Sequence, residues 1–470
     1  MKKHTVEKIG GTSMSRFGEL MDNILIGKRS GADLYNRIFV VSAYGGITNM
    51  LLEDKKTGEP GIYGYFAAGR IEWEKKLEDT RREMIEINHA FESLGLDLAK
   101  ADNFVNERMD GIRDCLRNLM QLRTFGHFQA KDYLPASREL LSSVGEAHSA
   151  HNSVLILCKR GVKAKFIDLT GWRDNSACTI EQMIERHFEG LDLAGCMPIV
   201  TGYVKCSTGI MNSFDRGYSE ITFSKLAVVT EAREGVIHKE YHLSTGDPKL
   251  IGADKVRAIG DTNFDIADQL ADLAMEAIHP KASKEMELKG IPLRVANAFD
   301  PESRGTLISK NYVAPSPRVD MICGRKDLVA IEVFDPEMVG QSGYDCHLLG
   351  SLQRFKISYI AKNTNANTIT HYVSERSRNL DHCLDDIKRN FPGASISTRK
   401  VCVVAVLGSN MRFPGFLSRA AGALAGANIN ILALDQCMRQ VNMQFMLERK
   451  DFEEAQRVLH YEFVEKESAH

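Results

Sequence analysis

Lys8 stands two residues before the pair Gly10-Gly11, and Thr12 and Ser13 follow at once. Glycines let a backbone approach a ligand closely, and the N–H groups opening a helix attract an anion. Lys8 would add a full positive charge, so this stretch could hold phosphate. The same residues also suit a plain strand-to-helix turn carrying a surface lysine. A second group, Arg216, Gly217, Ser219 and Glu220, opens another predicted helix. An arginine there can grip a carboxylate with two hydrogen bonds, and Glu220 could take Mg2+. An ordinary capped helix start with surface charges reads the same way. Glu146 lies among the small residues Gly145, Ala147, Ser149 and Ala150, where a carboxylate is costly unless it meets a cation. His148 and His151 have a spacing that metals can use, but no third ligand accompanies them, and no metal site is assigned.

The elements that must position these residues follow from pattern. A strand over residues 5–9 leads to the first glycine turn, and a helix is expected from about Met14 to Ile26, with Thr12 and Ser13 as candidate N-caps. The apolar run 38–41 reads as a buried parallel strand ending at Gly45, Gly46 and Thr48. A third buried strand, 198–204, ends at a glycine and precedes a helix over 221–229. Strand C-termini that converge in this way form the crevice where open α/β sheets bind ligands. Between them, residues 55–128 read as a helical insert with charged amphipathic helices over 72–91 and 104–122. Further strands are expected over 235–241 and 292–296, and a helix over 266–277. Residues 309–325 form an expected linker, containing Pro315 and Pro317 and able to add an edge strand. Beyond it, 326–394 and 395–470 each read as a βαββα unit, an internal repeat of ferredoxin-like kind.

The chain of 470 residues is long enough for two or three domains. A formal charge of −2 gives no electrostatic reason to expect a nucleic-acid partner. The ten cysteines contain no Cys-x-x-Cys pair, which suits free thiols in a reducing compartment. No apolar run nears the roughly 20 residues of a membrane helix, and the first residues lead into a strand rather than a signal-type segment. A cytoplasmic protein without a membrane partner is expected.

Taken together, these residues resemble the aspartate kinase family over nearly the whole chain. Lys8 to Ser13 matches the family's Lys-x-Gly-Gly-Thr-Ser, and Ser42 to Asn49 its Ser-Ala-x-x-Gly-x-Thr-Asn. Gly145-Glu146 matches its Gly-Glu, and His279 to Ala282 its His-Pro-Lys-Ala. The resemblance implies an amino-acid-kinase α/β/α sandwich over residues 1–308, followed by two ACT domains. It implies ATP and Mg2+ as cofactors and transfer of a phosphoryl group to the side chain of L-aspartate. Lys8 and Glu220 would be catalytic. Lys8, Gly10, Gly11, Ser13, Lys239, Asp247 and Lys249 would line the ATP site. Ser42, Thr48, Glu146, Tyr203, Arg216, Gly217 and Ser219 would form the aspartate site, with Arg216 on a substrate carboxylate and Glu146 on its ammonium.

The chain departs from the family's pattern in a cluster. The usual Asp at the third turn is Glu220, the nucleotide-side Thr-Asp is His238-Lys239, and an expected lysine before His279 is Glu276. In the first ACT unit the usual Thr-Thr-Ser is Asn363-Thr364-Asn365. Such a set resembles the specialised aspartate kinases of ectoine biosynthesis. A glutamate-directed kinase, or a degenerate kinase domain kept as an ACT-type amino-acid sensor, are the competing expectations. An amino-acid effector at the ACT domains and a homodimer or higher oligomer complete the picture.

Overall fold

The computed structural model describes residues 4–125, 127–214, 217–273 and 278–466. The chain divides into two compact units, 1–242 with 278–310, and 243–277 with 311–470. The stretch 243–277, expected within the kinase domain, therefore belongs to the second unit.

The first unit is built on strands β1 (Thr5–Ile9), β2 (Arg37–Val41), β3 (Ala164–Ile167), β4 (Met197–Thr201) and β5 (Glu234–Lys239); β6 (Asp261–Asn263) lies in the second unit, and β7 (Leu293–Asn297) and β8 (Thr306–Ser309) complete the first. Their order is β3-β4-β2-β1-β5-β7-β8, parallel except where β8 runs against β7. All of β2 and β4 is buried, as strands covered on both faces require. β1 is central: Lys8 stands opposite Val40 on one neighbour and Ile237 on the other.

The first helix differs from expectation. It is broken into Gly11–Met14 and Phe17–Leu20, with a wider turn over Met21–Leu25. The break falls at Ser15, whose Oγ accepts the Gly45 N–H at 2.9 Å, so the first two glycine turns are tied together. Gly10, not Thr12 or Ser13, occupies the N-cap. The insert carries the expected helices as Glu72–Ala90 and Leu98–Leu122, the second starting earlier because Asp97 caps it. A 30-residue helix, Ala130–Lys159, follows and carries Glu146. Among the described residues no helix is long and apolar enough to cross a membrane.

The second unit holds a sheet in the order β10-β11-β9-β12-β14-β13, formed by β9 (Met321–Phe334), β10 (Tyr359–Thr364), β11 (Thr368–Ser374), β12 (Ser395–Leu407), β13 (Ala433–Asp435) and β14 (Asn442–Glu448), every pair antiparallel. The two βαββα repeats thus share one continuous sheet. Part of the expected linker, from Met321, is strand: Met321, Ile322 and Cys323 are buried, and Gly324 lets β9 approach β12 where a Cβ would stand 2.4 Å from the Val403 carbonyl. Helices Tyr344–Arg354 and Leu380–Asn390 pack on the first repeat, and Phe416–Gly426 and Phe452–His460 on the second. On the opposite face, Ile266 and Leu270 of helix Phe264–Asp272 join the core. That helix is shorter than expected; Asn263 caps its start, and Glu276 lies outside the described residues.

Candidate active site

Strand alternation sends Lys8 and Lys239 to one face of the first unit's sheet. There both ammonium groups stand 3.7 Å from the same oxygen of Glu220, Oε1. The other oxygen accepts the His279 N–H at 2.5 Å. Burial works to raise the Glu220 carboxyl, but Lys8, Lys239 and the His279 N–H outweigh it and hold Glu220 below its ordinary value. The Glu220 carboxylate thus stands between two like-charged lysines. Gly11 is needed beneath them, since a Cβ there would sit 2.5 Å from the Ala43 carbonyl. Gly10 has an ordinary negative φ and leaves open the space toward Lys8 Nζ, 3.9 Å from its would-be Cβ. Ser13 is fully buried, and its hydroxyl donates to Glu240 Oε1 at 2.8 Å.

Glu146 forms the second focus. It is 2 % exposed, and its Oε1 accepts the Ser219 hydroxyl at 2.7 Å. Oε2 has no hydrogen-bond partner among the described residues. Burial pushes the Glu146 carboxyl up to about 8 against the lowering pull of Ser219, the charge of Lys8, and weaker pulls from the Tyr218 side chain and the Tyr203 backbone. The pull of Lys8 links the two foci electrostatically. Gly202 follows the end of β4 and passes close to Glu146: a Cβ would fall 3.0 Å from Glu146 Oε1. Gly217 likewise makes room for the His279 ring, 2.6 Å from a would-be Cβ.

The turn residues are held from the long helix. The Ser42 carbonyl accepts the Ser149 hydroxyl at 2.8 Å, one turn beyond Glu146. Thr48 is half-buried in the short helix Ile47–Leu51, entered through Gly46 at φ 88°. The Tyr203 hydroxyl donates to Glu139 Oε2 at 2.7 Å, and burial and then the Glu139 charge raise its pKa far above the ordinary tyrosine value. Arg216 lies outside the described residues. Asp247 and Lys249 belong to the second unit, where the Asp247 side chain caps helix Pro248–Ile251 by accepting the Lys249 N–H at 2.9 Å.

Three expectations about histidines resolve here. His148 is buried, bonded to Asn88 Oδ1 at 2.7 Å and edge-on to Tyr44, and burial depresses it to about 3. His151 stacks on Phe104 at 4.1 Å, and burial depresses it to about 4. Both are packing residues. His238 and Lys239, read together as nucleotide-side residues, point to opposite sheet faces, and His238 Nε2 bonds Glu7 at 2.8 Å instead.

Glu139 is a residue that motif reading passed over. Its Oε1 accepts the N–H groups of Met211 and Asn212, at 2.9 and 3.2 Å, while Oε2 holds Tyr203. It therefore anchors helix Ile210–Phe214, which leads in sequence to Arg216. Its place two turns before Glu146 on one helix was the available signal. Glu139→Ala leaves three donors without their acceptor, so the KM for the acidic substrate should rise about tenfold, with kcat changed far less. Steady-state kinetics on the purified variant reads that split.

The chain matches the model of the amino acid kinase family over residues 3–297 and that of an ACT domain over 404–463. It is 48 % identical over 467 residues to the aspartate kinase Ask_Ect of Stutzerimonas stutzeri, covering 99 % of this chain and 98 % of that one. It is 22 % identical to the aspartokinase of Candida albicans over 515 residues, covering 99 % and 90 %. In fold it resembles E. coli aspartokinase III in complex with aspartate and ADP, at TM-score 0.70 and 21 % identity, covering 98 % and 99 % of the two chains. Full-length coverage by a relative at near half identity, with both family models in their expected order, establishes that this chain belongs to the aspartate kinase family.

Proposed function

We propose that this protein transfers the γ-phosphoryl group of ATP to the side-chain carboxylate of L-aspartate, giving ADP and 4-phospho-L-aspartate. The observation that carries this reading is Glu146: a buried carboxyl with an unpartnered oxygen, set beside a lysine pair. An ammonium group satisfies that oxygen, while the lysines suit phosphate. A substrate bearing both an amine and a carboxylate fits this pairing.

The reaction needs little proton chemistry. The attacking carboxylate has an unperturbed pKa near 3.9 and is ionised at neutral pH, so no general base is required. A bond forms between its oxygen and the γ-phosphorus as the bond to the bridging oxygen of ADP breaks. Catalysis reduces to alignment and charge stabilisation. Lys8 and Lys239 neutralise the transferring group, and Glu220 keeps their ammonium groups adjacent. Gly10 and Gly11 admit the phosphates, and Glu146 with Ser219 fixes the substrate's amino end. Gly217 stands two residues before Ser219, and Arg216, by its family match in sequence, takes the substrate's α-carboxylate; Ser42, Thr48 and Tyr203 close the pocket.

Among the described residues no three His, Cys, Asp or Glu side chains form a cation cage. That fits Mg2+, which keeps several waters and is bound through nucleotide phosphates plus one or two carboxylates. Glu220 is the carboxylate that would face it, and the ion when bound would add charge neutralisation at the phosphates.

The test is phosphorylation with ATP and Mg2+, the acyl phosphate being trapped by hydroxylamine as a coloured hydroxamate, with L-glutamate in parallel. Signal with aspartate alone is expected; signal with glutamate alone, or with neither, rejects the assignment. The 48 % identity to Ask_Ect supports a place in ectoine biosynthesis. The second unit ends in two edge strands, β10 and β13, which supports association of like chains through sheet edges. Light scattering at micromolar protein should give at least a dimeric mass, and a monomeric mass rejects it. An amino-acid effector at this unit is part of the same reading.

A further inference from the structure

The face of the first unit's sheet away from Lys8 is charged, where a covered parallel sheet is ordinarily apolar. Thr5 and Glu7 of β1, His238 of β5 and Arg294 of β7 line a cavity of about 580 Å³ there, a size suited to a small molecule. Its floor is neutralised. Arg37 donates to both oxygens of Glu7, Nε at 2.7 Å and Nη2 at 2.9 Å, and its remaining nitrogen to the Ile24 carbonyl at 2.9 Å. Arg294 pairs with Glu234 at 2.5 Å, and Asp300 is bonded by His242 at 2.9 Å. The acids of the cavity are therefore largely engaged.

Two cations of its wall are not. Neither Arg29 nor Arg233 has a carboxylate within 4 Å among the described residues; Arg29 donates only to the Ile24 carbonyl, at 3.2 Å. Burial and then the like charge of Arg37 hold the Arg29 guanidinium below its ordinary value, with Glu7 and then Asp33 as weaker counterweights at longer range. Burial and then Arg233 lower His4 in the same sense. The floor also holds an unanswered polar atom. His238 is 8 % exposed, its Nε2 serves the Glu7 carboxylate, and its Nδ1 has no partner among the described residues.

We infer that this cavity is a second ligand site, separate from the Lys8 crevice, that takes a small anion bearing two or more phosphate or carboxylate groups between Arg29, Arg233 and His238. Guanidinium groups provide the forked donors such an anion needs.

Calorimetric titration of the full-length protein with inorganic pyrophosphate, and separately with citrate, tests this. The wild type should bind at this site with a dissociation constant below millimolar. The Arg29→Ala/Arg233→Ala double variant should lose that binding at least tenfold while keeping its circular dichroism and its basal kinase activity. Lys8→Ala should retain it. Pyrophosphate the tighter of the two marks a phosphate site, and citrate the tighter a carboxylate site. No binding of either anion by the wild type, unchanged affinity in the double variant, or loss confined to Lys8→Ala overturns the inference.

Discussion

Lys8→Ala should lower kcat at least ~10²–10³-fold, the range seen when a preorganised electrostatic contact to a transition state is removed, while the fold survives. Survival is argued from Glu220. That carboxylate is nearly buried, and stripping all its partners would leave an uncompensated charge, a change worth roughly 3–5 kcal/mol. In Lys8→Ala it keeps Lys239 at 3.7 Å and the His279 N–H at 2.5 Å. The thermal midpoint should therefore move by only a few degrees. The Lys8→Ala/Lys239→Ala pair removes both cations, and its loss of stability should exceed the sum of the single losses, because the two lysines share one partner. Adding Glu220→Gln should restore most of that stability without restoring turnover. Near-normal kcat in Lys8→Ala, or additive losses in the pair, would remove the basis for assigning the lysines to the phosphoryl group.

Local pattern carried much of the architecture. β1 and β2 lie within a residue of where the apolar pattern places them, because their burial is written in consecutive residues, whereas β4 ends at Thr201, three residues short of the expected 204. The repeat in the second unit was legible for the same reason. What pattern missed depends on partners far away in sequence. The break at Ser15 coincides with a bond from the Gly45 N–H, 30 residues on. Glu139 matters through Tyr203, Met211 and Asn212, more than 60 residues away. His238 looked like a nucleotide-side residue because His238-Lys239 stands where the family has Thr-Asp, yet adjacent strand residues face opposite ways, and Glu7 claims it. The burial of Glu146 was readable from its small neighbours, since a helix face of Gly, Ala and Ser can approach a sheet closely. Its unpartnered oxygen was not, because that depends on which hydroxyl groups the turn at Ser219 brings near.

Glu146→Gln should stabilise the ligand-free protein while crippling substrate binding, two effects with opposite signs from one carboxyl. In the unfolded chain a glutamate titrates near 4.3; in the folded protein Glu146 is pushed up to about 8 by burial. The folded state therefore holds the proton more tightly. Between these values it binds more protons than the unfolded state, so stability falls as pH rises from about 4 to about 8 and levels off above. The full penalty is a few kcal/mol. An uncharged glutamine escapes it, so the variant's thermal midpoint should exceed the wild type's by roughly 5–10 °C at pH 8.5 and by little at pH 4.5. Binding runs the other way. Only the ionised carboxyl pairs with an ammonium, so the wild-type KM for aspartate should fall about tenfold per pH unit as pH rises toward 8, then flatten. Substrate supplies the charge that the empty site lacks. The variant should show a flat profile and a KM raised ~30-fold or more, the effect of truncating one partner of a buried charge pair. A wild-type KM that does not change between pH 6 and 8, or a variant less stable than the wild type at pH 8.5, would refute the pairing of Glu146 with the substrate ammonium.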